Sequence, residues 1–234
     1  MLTTQCQTIK NGGISSLRVN MNLLSSPTIE YCEKPIQGLI KRPYYALSNL
    51  AFLFSGLLIL YKGKMNRLAK IFGFTAITIG ILSFFYDASY LYISQLFDLA
   101  GMLLFVNILI FLNIKSLRKT FNNLIWFQIL AFTASMAVII IIRGFTGNVV
   151  FGSYVLAVVI SEYLLYRNKT HLNHKYWILA FGLFVLGFAI WLLDESKTLC
   201  FSFGLLNGRA VFHYLNAISI YYLYIFYDLN SARA

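Results

Sequence analysis

Seven apolar blocks, each about as long as a helix that crosses a bilayer, constrain this chain more than any other feature. They run approximately over 44–61, 69–86, 96–113, 121–142, 148–166, 176–193 and 205–227. The apolar residues arrive in continuous blocks, not at amphipathic spacing, which is the pattern of membrane spans. Only 12% of the 234 residues are charged and 59% are hydrophobic, whereas a soluble domain carries about 25% charge. Backbone in lipid must satisfy its own hydrogen bonds, and the alternation of barrel strands is missing, so the blocks are read as helices. Aromatic residues crowd the span ends, as in "RPYYAL", "HKYWIL" and "YYLYIFYDL", as interfacial belts do. The expectation is an all-α integral membrane protein of seven transmembrane helices. It has a polar, interfacial segment over 1–43, the helical domain over 44–228 and a short tail over 229–234.

The net charge of +11 does not point to nucleic acid, because the basic residues sit in loops. Lys62, Lys64, Arg67 and Lys70 follow the first block. Lys115, Arg118 and Lys119 follow the third, and Arg167, Lys169 and Lys175 follow the fifth. The alternate loops hold only Arg143 and Lys197. The positive-inside rule then puts the N-terminus outside and the C-terminus in the cytoplasm. The five basic residues of the N-terminal region, Lys41 and Arg42 among them, run against that assignment. Residues 1–42 show no signal-peptide pattern, and their second half is expected to lie on the membrane surface. The short loops favour a bacterial inner membrane over an internal eukaryotic one. Cys6, Cys32 and Cys200 all fall on the outer side, where free thiols and a disulfide are both open readings.

Charged residues inside spans are costly and mark function or pairing. Ser83 and Asp87 lie four apart at the end of the second block, on one helix face. Asp98 opens the third block, where an acid also suits the helix dipole. Arg209 and His213, again four apart, open the last block. Seven spans bring these five residues to one side of the membrane, so Arg209 is the expected counter-charge for acids more than a hundred residues away. Glu162 is expected to be an interface acid near Arg167. His171 and His174 are spaced loosely for a metal pair and fall on the opposite side.

The pattern resembles the alkaline ceramidase-like superfamily, which includes adiponectin-type receptors. That signature is a Ser, a His four later and an Asp eleven further on, with His-x-x-x-His near the chain end. Ser83, Asp87 and Asp98 hold the first spacing, and "GRAVFHYLNAIS" is similar to the last motif, with Arg209 and His213 at the two His positions. Before the first span, Cys32, Glu33, Ser48 and Asn49 match the family's Cys-Glu and Ser-Asn motifs. The resemblance spans Glu30 to about Tyr227. It implies a seven-helix hydrolase of lipid amides, with a ceramide-like substrate drawn from the bilayer. It also implies a zinc ion held by three His, a water positioned by Asp98, an oxyanion steadied by Ser83, and a Cys32–Cys200 disulfide. Calcium, bound by some members through N-terminal acids, is not implied by Glu30 and Glu33 alone.

Asp87 and Arg209 stand where two zinc ligands are expected. Asp can ligate zinc, but Arg has no lone pair to offer. Asp87 and His213 would remain as metal ligands, and three protein ligands are usual in a catalytic site. The two changes have opposite charge, so Asp87 and Arg209 are expected to pair, with the guanidinium in place of the metal. The first functional reading is therefore a ceramidase-like hydrolase using Ser83, Asp98 and His213, with its metal site altered. The alternative is a catalytically degenerate lipid-binding or receptor-like member held by the Asp87–Arg209 pair. A transporter is disfavoured, because the spans show no interrupted pair in matching halves.

Overall fold

The computed structural model describes residues 23–117, 123–142, 146–168, 174–198, 200 and 204–231. Cys6 and His171 lie outside the described residues. The order is α1 (Pro43–Ser48), α2 (Leu50–Lys62), α3 (Arg67–Ser89), α4 (Tyr92–Leu117), α5 (Leu124–Ile141), α6 (Thr146–Asn168), α7 (Lys175–Glu195), a 3-10 turn (Gly204–Leu206) and α8 (Gly208–Ser231). No strand occurs among the described residues. Among the described residues six segments are long and apolar enough to cross a membrane, the first being Pro43–Lys62, in which α1 and α2 run on. The chain is thus an all-helical, multi-pass membrane protein. The expected seventh span falls on α8, which has 24 residues but is not one of the six. Its apolar run is broken by Arg209, His213, Ser219 and Asn230, all turned inward and buried.

Helix α7 packs along α8, α2 along α3, and α4 between α3 and α6, while α5 sits at the edge against α4 and α6. Trp126, Phe127 and Leu130 of α5 stay exposed, as suits a lipid-facing helix. The contact of α2 with α3 depends on Gly56, where a Cβ would come within 2.6 Å of the Gly73 carbonyl oxygen. Small residues at such crossings let the backbones approach in place of a hydrophobic drive.

Two local features aim the polar residues. Tyr90 ends α3 in the left-handed conformation, φ 55°, and α4 begins two residues later. That tight reversal sets Asp87 and Asp98 side by side. It also places Asp98 in the second turn of α4, beyond the first turn where the helix dipole acts, so the dipole does not explain it. The second feature is the segment from Leu23 to Arg42, which is built onto this end of the bundle. Tyr92 N donates to Ser25 O (2.9 Å), Thr28 N to Gln95 Oε1 (2.9 Å) and Lys41 N to Ala88 O (2.9 Å). Tyr31 is buried in the bundle, so the segment is more than an interfacial layer. Pro43 opens α1, and the free N–H groups of Tyr44 and Tyr45 donate to the Glu33 carboxylate at 3.0 and 2.9 Å. Burial raises the Glu33 carboxyl while those two bonds pull it back down. Glu30, by contrast, sits exposed beside Lys197 at 2.6 Å.

Cys32 and Cys200 form a disulfide across a sequence separation of 168, with Cα atoms 5.4 Å apart. Closing so long a loop removes much unfolded-chain entropy. Cys32→Ser with Cys200→Ser is expected to cost about 2–5 kcal/mol, read as a fall in unfolding temperature in detergent that reducing agent reproduces in the parent protein. An unchanged unfolding temperature would show that the segment is held without the link.

Candidate functional site

The site is built where α1, α3, α4 and α8 meet under the N-terminal segment. Arg209 Nε lies 3.3 Å from Asp87 Oδ1, and Arg209 Nη2 lies 3.3 Å from Asp98 Oδ2. Ser83 Oγ donates to Asp98 Oδ1. Asn49 Nδ2 donates to Asp87 Oδ2 at 3.0 Å. Ser48 Oγ lies 2.7 Å from both the Tyr45 carbonyl oxygen and His213 Nδ1. A carbonyl only accepts, so the single Ser48 proton goes to Tyr45 O. Nδ1–H of His213 then donates to Ser48, and Nε2 keeps its lone pair.

The sequence reading gave two acids one cation; the structure brings a second. Arg42 is 0% exposed, and its Nη2 lies 2.9 Å from Asp87 Oδ1. Its own N–H donates to the Asp87 carbonyl at 3.1 Å. The basic residue that ran against the topology is part of the site. Two guanidiniums and two carboxylates form a group of zero formal charge. The rest of their desolvation is met by aromatic faces, which attract cations more strongly away from water. Arg42 lies 4.7 Å from the Tyr90 ring centroid and 4.8 Å from that of Tyr86. Arg209 lies 4.5 Å from Tyr31 and 5.1 Å from Tyr86. Burial pushes the Tyr31 phenol well above its ordinary range, so it stays a neutral wall.

Sequence reasoning also missed Asp194, in the last turns of α7. Its carboxylate accepts from Cys32 N (3.0 Å), Tyr45 OH (2.8 Å) and Arg209 N (2.6 Å). It fastens the N-terminal segment, α1 and the first turn of α8 in one contact, and so orients Arg209. The signal was an acid ending an otherwise apolar block, "AIWLLDES". Glu162 and His174 stand elsewhere: His174 Nδ1 lies 3.1 Å from Glu162 Oε1, so the partner of that acid is His174 and not the expected Arg167.

Zinc needs free donors, usually three from the protein at a catalytic site. Here both Asp87 oxygens are engaged by Arg42, Arg209 and Asn49, and Asp98 by Ser83 and Arg209. His213 Nε2 is the remaining donor, and two guanidiniums would repel a dication beside it. Among the described residues no three His, Cys, Asp or Glu side chains converge on one point. The residues present do not fit a zinc ion.

Below the charged group an apolar cavity runs between the helices. Ser83, Asp98, Arg209 and His213 line its upper end, and Leu109, Val158, Trp177 and Leu223 line its lower part. On α4 the distance from Asp98 to Leu109 is about 16 Å at the helical rise per residue, and on α8 from Arg209 to Leu223 it is about 21 Å. One leaflet of a bilayer core is about 15 Å deep. The cavity therefore has the length and polarity of a lipid chain, with a polar group at its head.

A multi-pass helical bundle with a buried polar cluster above an apolar cavity defines the class as a membrane protein with an intramembrane site. The Ceramidase family model matches residues 24–233, and the chain belongs to that family. The family places it with the ceramidase-like hydrolases, embedded in the membrane and facing lipid. No curated protein matched the chain.

Proposed function

We propose that this chain is a member of the Ceramidase family that binds a ceramide-like lipid and has lost zinc-dependent hydrolysis. The observation that carries this reading is the Arg209 guanidinium bridging Asp87 and Asp98, with Arg42 behind it. Charge-assisted contacts replace metal–ligand bonds, and the bundle keeps its shape without the ion. The amide and hydroxyl groups of the lipid meet Arg209, Asp98, Ser83 and His213 Nε2, and one chain lies in the cavity. The family hydrolase reading, with Asp98 orienting water, His213 as base and Ser83 steadying the oxyanion, draws support from the free lone pair of His213 Nε2.

In the membrane, α8 is taken as the seventh span: 24 residues reach about 36 Å, more than the hydrocarbon core. The N-terminus is taken as outside. With Arg42 buried in the site, four of the five N-terminal basic residues still count toward the loops. A disulfide at this end fits an oxidising compartment such as a bacterial periplasm.

Purified protein in nanodiscs is titrated with ceramide while free fatty acid is measured. Saturable binding without fatty acid above the blank is the expected result. Fatty acid release that Asp98→Asn abolishes would establish the hydrolase reading in its place. No saturable binding would sink both.

A further inference from the structure

A second polar layer lies one helical turn beyond the apolar lining of the cavity's lower part. Leu109 is followed by Asn113 on α4, Val158 by Glu162 on α6, and Leu223 by Tyr227 on α8, while His174 precedes Trp177 of α7. Tyr227 OH donates to Asn113 Oδ1 at 2.6 Å, and Asn113 Nδ2 donates to Ser161 Oγ at 2.9 Å. Glu162 and His174 meet at 3.1 Å. Asn113, Ser161 and Glu162 are buried. The layer thus brings together α4, α6, α8 and the start of α7, the four elements that carry Leu109, Val158, Leu223 and Trp177 at the lower part of the cavity.

We infer that this layer is a stop that sets the longest acyl chain the protein accepts. The inference rests on the lipid-binding reading above. A chain that ends among Leu109, Val158, Trp177 and Leu223 stays in apolar surroundings. A longer chain must bend or push its methyl end into the layer, which separates hydrogen-bonded groups that have no water to turn to. Shorter chains are not favoured over one another, because a methylene leaving the bilayer for the cavity exchanges one apolar medium for another. The expected selectivity is therefore a cut-off with no gradient before it. Unpairing one buried polar group lowers occupancy about tenfold.

The test uses the full chain in nanodiscs that hold equimolar ceramides of graded acyl length, with bound lipid read by native mass spectrometry. Occupancy is expected to be level for the shorter chains and to drop about tenfold beyond one length. Leu223→Ala should move that limit to longer chains and Val158→Phe to shorter ones. The position of the limit is independent of overall affinity, so a variant that merely binds less lipid does not mimic the shift. Ceramide binding without a limit, or with a limit that neither variant moves, overturns the stop and leaves the lipid-binding reading standing. If no ceramide binds at any length, both fall.

Discussion

Asp87→Ala is expected to destabilise the protein by about 3–5 kcal/mol, the scale of breaking a buried ion pair on one side. The loss comes from what remains. Arg42 and Arg209 both lean on this carboxylate, at 2.9 and 3.3 Å, and without it two cations face each other in a site closed to water. A compensated pair separates this from loss of packing. Asp87→Leu combined with Arg42→Met removes one charge of each sign and leaves Arg209 with Asp98. The double variant should be more stable than the Asp87→Leu single, with a coupling of about 1–3 kcal/mol. Detergent unfolding of both singles and the double measures it. Additive losses would mean that the cluster is not the neutral unit described here.

The second large effect is a gain of metal. Asp87→His with Arg209→His puts imidazoles at two positions beside His213 and frees Asp98 from its cation. The variant still holds Arg42, whose guanidinium has then lost its carboxylate and would oppose a dication. Adding Arg42→Gln removes that charge. The triple variant is expected to bind about one zinc per chain, as three protein ligands suffice for a catalytic-type site, and the double variant to bind it more weakly. A well-folded triple variant without zinc would mean that these positions do not share a ligand geometry.

Much of the fold was legible because span composition and length reflect a demand of the bilayer that few sequences satisfy by chance. Six apolar segments follow from it. The last helix was read from its length and aromatic residues, and its five tyrosines together with His213 and Asn216 keep its best apolar stretch below those of the other six. The site was partly legible because Ser83, Asp87, Asp98, Arg209 and His213 keep helical spacings that fix which faces they share. Arg42 was not legible. A basic residue beside Pro43 reads as a loop charge at a span end, and only the fold of the Leu23–Arg42 segment over the bundle buries it. Asp194 was hidden for a similar reason: its three partners, Cys32 N, Tyr45 OH and Arg209 N, come from three distant parts of the chain. The Glu162–His174 contact joins α6 to the start of α7, and helical spacing carries no information about a pair on different helices.

On the proposed function, guanidinium groups stand where the family's metal would. The most direct test is the zinc content of the purified, folded protein after mild dialysis, by elemental mass spectrometry. Essentially none is expected, with Arg42 and Arg209 filling the site. About one zinc per chain, lost on His213→Ala, would contradict the proposed function and return the protein to the metal-dependent hydrolases of its family.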